Sequence, residues 1–216
     1  MIAASKRSPS MPIAVLVSGR GSNLGAILDA VEKKFITNGT VRVVISNKPD
    51  APALEISKKH GVPTEVLNDQ GLPKKSWDYD QKTIQLLKQH DVNPGSGLIL
   101  LAGYFRILSP EFVELFERRI LNIHPALLPS FPGLNAQKQA LDHGAKITGC
   151  TVHFVDKGVD TGPILIQASV PIRDDDTIET LSERILREEH RIYPEAVRLF
   201  TDEILTVKDR RVMLSD

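Results

Sequence analysis

A repeated switch of hydrophobic period runs through the first half of this chain and leaves few folds open to it. Short runs at Ile13–Ser18, Val41–Ser46, Thr64–Leu67, Leu98–Ala102 and Arg119–Ile123 read as strands, the first an apolar run and Leu98–Ala102 the most apolar of all. Between them, apolar residues recur at helical spacing: Leu24, Ile27, Leu28 and Val31 first, then the stretches Ala51–His60, Asp78–Gln89 and Pro110–Phe116. An unbroken apolar run suits a strand covered on both faces. Strands alternating with helices require right-handed crossovers. The expectation is an α/β fold, a single-domain, mostly parallel twisted sheet with helices on both faces.

The pattern changes after the Pro-rich segment Pro125–Gly133. A helix near Leu134–His143 is followed by two strands, Thr148–Val155 and Pro163–Val170, expected as an antiparallel pair near the C-terminal end. A long helix, Thr177–Thr201, then closes the core, and Pro194 inside it predicts a kink or a break. Residues 1–11 read as a flexible extension, 12–201 as the folded domain and 202–216 as a peripheral tail.

Composition narrows the classes of function. Twenty-seven basic residues balance 27 acidic ones, so the excess positive charge of a nucleic-acid binder is missing. No apolar stretch approaches the roughly 20 residues of a membrane-spanning helix, and residues 1–12 lack the apolar core of a secretory signal. Cys150 has no second cysteine to pair with, and no His/Asp/Glu spacing suggests a metal site. The expected partners are small molecules, without nucleic acid or membrane, in the cytoplasm; monomer and homodimer both remain open.

Two segments carry chemistry. Gly19-Arg20-Gly21-Ser22-Asn23 lies between the first strand and the first helix, where parallel sheets place ligands. Free amides of the first helical turn offer partial positive charge to an anion, and Ser22 or Asn23 can cap the helix or add donors. A tight turn with an N-cap fits the same residues equally well. Gly25 falls one position late for a dinucleotide fingerprint, and the lysine of a nucleoside-triphosphate loop is missing, so a phosphate monoester fits better.

Asn122-Ile123-His124-Pro125 puts two polar side chains on one side of a strand end, where a neutral donor and a proton carrier could face one reacting group. A histidine that merely closes a strand end satisfies the same spacing. Asp160, in the loop between the two later strands, could pair with His124 and favour its protonated form. His153 alternates with apolar residues and reads as structural; His60, His90 and His143 read as surface residues, and His190 as packing or surface. Cys150 sits inside a strand with no obvious base, so nucleophilic catalysis is not indicated.

Ser18–Leu24, Leu101–Pro110, Asn122–Pro125 with Leu127-Leu128-Pro129, and Asp160–Pro163 occur in that order. Together they resemble the folate-dependent phosphoribosylglycinamide formyltransferase family over most of the chain. The resemblance implies a Rossmann-like formyltransferase fold for 12–201. It implies transfer of the formyl group of 10-formyltetrahydrofolate, a co-substrate, to the amine of glycinamide ribonucleotide in purine synthesis, through a tetrahedral intermediate and without metal. It assigns Asn122, His124 and Asp160 as the catalytic trio. Gly21, Ser22, Asn23 and Glu189 would hold the ribonucleotide. Phe105, Arg106, Ile107 and Leu108, mostly through backbone and apolar contact, would line the folate pocket with Asn122, and Lys75 matches a basic residue touching folate. Arg119 matches a position lining the active-site region.

Arg20 and Leu186 depart from the pattern: one adds charge beside the phosphate loop, the other removes a polar contact. The competing readings are a 10-formyltetrahydrofolate hydrolase, which shares the trio but carries a regulatory domain, and a non-catalytic nucleotide-phosphate sensor. Methionyl-tRNA formyltransferase shares the trio too, but adds a tRNA-binding domain.

Overall fold

The computed structural model describes residues 10–215, so most of the expected N-terminal extension lies outside the described residues. The first half follows a strict strand–helix alternation: β1 (Met11–Val17), α1 (Ser22–Glu32), β2 (Gly39–Ser46), α2 (Ala53–Lys59), β3 (Thr64–Val66), α3 (Trp77–Gln89), β4 (Leu98–Leu101), α4 (Pro110–Leu115) and β5 (Ile120–His124). Then come α5 (Ala136–Asp142), β6 (Ile147–Phe154), β7 (Ile164–Pro171), α6 (Ile178–Thr201), β8 (Leu205–Lys208) and β9 (Arg211–Leu214). Met11 belongs to β1, paired with Gly39, rather than to an extension.

The strands form one sheet in the order β3-β2-β1-β4-β5-β6-β7-β9-β8. β1 to β5 run parallel, whereas β6 is antiparallel to both β5 and β7. Burial on both faces explains the apolar runs. Ile13, Val15 and Val17 pack into the cluster that includes Leu24 of α1 and Ile185 and Tyr193 of α6. Ala14 and Leu16, between them, pack on the other face with Leu87 of α3 and Phe112 of α4.

Two local features differ from expectation. Of the kink or break expected at Pro194, the break does not occur: α6 continues through it, its apolar face held along its length against the sheet. Residues 202–216, expected as a peripheral tail, contain the β8–β9 hairpin, which extends the sheet through an Ile164–Arg211 bridge.

The order β3-β2-β1-β4-β5 reverses between β1 and β4, and such a switch point opens a crevice at the carboxyl ends of the strands. The glycine loop follows β1, the Phe105–Leu108 segment follows β4, and His124 ends β5. Three sequence-distant segments thus share one edge.

Candidate active site

Gly21 occupies the N-cap position of α1 with φ 78°, a conformation that favours glycine. A Cβ there would stand 2.6 Å from the Ala53 Cβ, and the Ala53 N–H donates to the Gly19 carbonyl at 3.2 Å. The start of α2 therefore backs the loop. Ser22 and Asn23 lie inside the helix and neither caps it, which leaves the first-turn amides without a side-chain acceptor. Asn23 instead donates Nδ2–H to Glu189 Oε2 at 2.7 Å, across 166 positions of sequence. Its Oδ1 is buried without a hydrogen-bond partner among the described residues. Burial pushes the Glu189 carboxyl up, against the opposing pull of Asn23 and Arg20. Leu186, one helical turn before Glu189, supplies no polar group.

The structure brings Asn122, His124 and Asp160 together. His124 Nδ1 lies 3.3 Å from Asp160 Oδ2, and Nε2–H donates to the Phe131 carbonyl at 2.8 Å. Both ring nitrogens thus face oxygens. Asp160 sits at φ 54° and accepts the Gly133 N–H at 2.8 Å. The expected hold of Asp160 on the ring proton is present in sign but is outweighed. Burial takes the His124 ring below the ordinary imidazole value, and the Asp160 carboxylate opposes without reversing it. For Asp160 the balance is the other way: burial would raise the carboxyl, but the His153 ring when it carries a proton on Nε2, the Gly133 amide and His124 together hold it below its ordinary value.

His153 belongs to the site, not only to the core. The β5–β6 register sets it opposite Asn122, with Asn122 Nδ2 3.1 Å from His153 Nε2. His153 Nδ1–H donates to the Phe154 carbonyl at 2.8 Å, so in the neutral ring Nε2 accepts from the amide. Asp160 Oδ1 lies 3.6 Å from the same nitrogen. No local sequence signal marks His153; only the pairing of two strands does.

The Phe105–Leu108 segment is tied to the ends of β1 and β2. The Phe105 N–H donates to Ser18 Oγ at 2.8 Å, and the Ser18 hydroxyl donates to Asn47 Oδ1 at 2.6 Å. Asn47 and Lys48 both donate to Asp69, as does Arg106 Nη1 at 3.0 Å. The Arg106 guanidinium is buried over the Tyr79 ring, 3.7 Å from its centroid, and so serves as a structural tie rather than facing the cleft. Burial would raise the Asp69 carboxyl, but Lys48, Asn47 and Arg106 outweigh it and hold it below the carboxylate range. Phe105 and Ile107 are exposed and Leu108 is buried. The Lys74 carbonyl accepts the Ile107 N–H at 3.1 Å, which sets neighbouring Lys75 beside this segment.

Arg119 is not brought to the site. It immediately precedes β5, at the amino edge of the sheet, and its Nη1 reaches the Gly97 carbonyl at 3.5 Å. Burial pushes the Cys150 thiol up to about 12, which leaves it protonated and unreactive at neutral pH. Among the described residues, Asp29, Glu32 and His60 form one trio of ligating groups, on α1 and just past the end of α2. His60 Nδ1 lies 2.7 Å from Glu32, within hydrogen-bond reach, and Lys33 forms an ion pair with Asp29 at 2.9 Å, so these groups already have partners.

A family model described as formyl transferase matches residues 11–197. The phosphoribosylglycinamide formyltransferase of Escherichia coli is 40% identical over 204 residues, covering 94% of this chain and 93% of that protein. The human trifunctional purine biosynthetic protein adenosine-3 is 43% identical over 187 residues, which is 87% of this chain but only 18% of that protein. Among solved structures, glycinamide ribonucleotide transformylase 1 from Symbiobacterium toebii superposes with a TM-score of 0.89 at 48% identity, over 96% of this chain and 95% of that one. A shared sheet, a shared sequence along most of its length and a histidine–carboxylate pair at the sheet's carboxyl edge leave one assignment: this chain is a member of the formyl transferase family.

Proposed function

We propose that this chain is a phosphoribosylglycinamide formyltransferase, moving the formyl group of 10-formyltetrahydrofolate onto the amine of 5'-phosphoribosylglycinamide in purine synthesis. The observation that carries the reading is the 3.3 Å approach of His124 to Asp160 at the edge that also bears the uncapped amino end of α1.

The donor set fits both substrates. The free amides after Gly21 suit a phosphate, and the buried, unpartnered Asn23 Oδ1 suits a donor such as a ribose hydroxyl or an amine. Glu189 holds Asn23 in place and faces the same ligand. The backbone of residues 105–108, with exposed Phe105 and Ile107, suits a flat aromatic partner, with Lys75 available to its carboxylates.

In the reaction, the neutral amine attacks the formyl carbon and the formyl oxygen becomes an oxyanion. Asn122 keeps one amide N–H free after its bond to His153 and donates it to that oxygen. His124 supplies the second donor. As folded, its Nε2–H serves the Phe131 carbonyl, so the reacting oxygen must displace that carbonyl before the ring can donate outward. Asp160 stabilises the imidazolium. As the intermediate collapses, the bond from the formyl carbon to the folate nitrogen breaks and His124 gives that nitrogen its proton; the proton released by the attacking ammonium, relayed through water, restores the ring. No step asks for a metal ion, and the partners are small molecules in the cytoplasm.

The test is an assay with purified protein. Tetrahydrofolate forms from 10-formyltetrahydrofolate only when the ribonucleotide amine is added. Formate release without the amine identifies a hydrolase. Ligand binding with no turnover identifies a sensor.

A further inference from the structure

The hairpin after α6 meets the loop that carries Asp160. β9 joins the sheet where Arg211 pairs with Ile164, the first residue of β7, just past the end of that loop. At the hairpin's turn, Arg210 Nη2–H donates to the Thr161 carbonyl at 2.7 Å. Thr161 directly follows Asp160, so the bond fixes the peptide unit between Thr161 and Gly162, one unit beyond the residue that bears the carboxylate.

Asp160 depends on being held. Its φ of 54° lies in the left-handed region, which Asp tolerates better than most residues but which contacts around the loop must still select. Internally the loop closes on Asp156, which accepts the Gly158 N–H at 3.1 Å and the Thr161 hydroxyl at 2.6 Å. From outside, the Gly133 N–H holds Asp160 itself. Lys157 pairs with Glu114 at 3.0 Å, but both groups are largely exposed, where an ion pair contributes little. The Arg210 bond is exposed as well, but it is charge-assisted and closes on the backbone of the residue that follows Asp160, which the Lys157–Glu114 pair does not touch.

We infer that Arg210 is a positioning residue for the transfer site: by anchoring the Thr161 carbonyl, the C-terminal hairpin holds the Asp156–Gly162 loop so that the Asp160 carboxylate stays against the His124 ring. The inference rests on the roles proposed above for His124 and Asp160.

Two readouts test it without turnover: amide hydrogen exchange of residues 158–162, and the titration of the His124 ring followed by NMR. The groups acting on that ring are Asp160, which raises its pKa, the Phe131 carbonyl, and the nearby His153 ring, which lowers it. In Arg210→Ala, the loop amides exchange several-fold faster and the ring titrates at lower pH, because its carboxylate partner is less often in place. Turnover falls roughly threefold to tenfold, the range for one exposed hydrogen bond. Arg210→Lys, which keeps a cationic donor, recovers part of each change. Wild-type exchange in Arg210→Ala overturns the inference. So does faster exchange with an unmoved His124 titration, since Arg210 then only stiffens the loop. Because neither readout needs substrate, failure of the glycinamide assay with wild-type protein is separable from failure of the brace.

Discussion

Asn122 and His153 face each other across the antiparallel β5–β6 ladder, amide nitrogen 3.1 Å from ring nitrogen, and each fixes what the other can do. The Phe154 carbonyl takes the proton on His153 Nδ1, so the neutral ring turns a lone pair to Asn122. That bond sets the amide's orientation and leaves its second N–H for a reacting oxygen. His153→Phe therefore removes the acceptor and frees the amide to rotate. We expect kcat to fall at least tenfold, with the KM for the ribonucleotide little changed. Losing one partner of a buried hydrogen bond costs about 1–3 kcal/mol, readable as a lower urea midpoint. An unchanged kcat would mean that the reaction does not need Asn122 held this way.

His124 is the group whose loss should cost most in turnover. Removing one donor to a developing oxyanion typically raises the barrier by about 2.7–4 kcal/mol. His124→Ala is expected to lower kcat by roughly a hundredfold or more while ribonucleotide binding, measured by calorimetry, persists. Near-normal turnover would refute the role.

The pH dependence follows from the signs at the pair. Burial lowers the His124 pKa and Asp160 raises it, so Asp160→Asn removes the only charge that raises it and the ring loses its proton at lower pH than in the wild type. A step that needs the protonated ring fails above that pKa. The basic limb of the kcat profile should move to lower pH in Asp160→Asn, with the maximum reduced; a limb that stays put, or moves up, contradicts the pairing.

Asp69 ties Lys48, Asn47 and Arg106 beneath the Phe105–Leu108 segment. Removing one partner of a buried ion pair costs about 3–5 kcal/mol, so Asp69→Ala should be strongly destabilised and should raise the KM for the folate substrate as Arg106 loses its anchor. The folded carboxyl titrates below its unfolded value, so its contribution is present above the unfolded pKa and is lost as pH falls through the folded one. The destabilisation by Asp69→Ala, measured by urea unfolding, should therefore shrink on acidification below the ordinary carboxylate range.

Gly21 is fixed by conformation and by space. Its φ is 78°, and an added methyl would stand 2.6 Å from the Ala53 Cβ, so Gly21→Ala must move either the loop or α2. Overpacking of this kind costs about 1–3 kcal/mol. The variant should lose affinity for inorganic phosphate and for the ribonucleotide together, whereas Gly61→Ala, also at positive φ but in open space, should leave both unchanged.

Much of the architecture was legible in the chain because it depends on short-range order. The change of period from strand to helix sets each element, and the burial of β1 on both faces is written in five consecutive apolar residues, Ile13–Val17. The glycine loop, and the alternation that puts Asn122 and His124 on one side of β5, are local in the same way. Asp160 could be read only as a possible partner of His124, to which resemblance gave a catalytic role, and Glu189 came from resemblance alone.

Relationships between segments far apart in sequence came only with packing. The antiparallel register that turns His153 from a core residue into the partner of Asn122 spans 31 positions. The capture of Arg106 by Asp69 spans 37 positions, and the reach of Arg210 to Thr161 spans 49. The balance at His124, where burial outweighs a carboxylate, depends on how many groups close over the ring. Periodicity is a property of neighbours along the chain; register, ion pairing and desolvation arise only when distant segments are packed against one another.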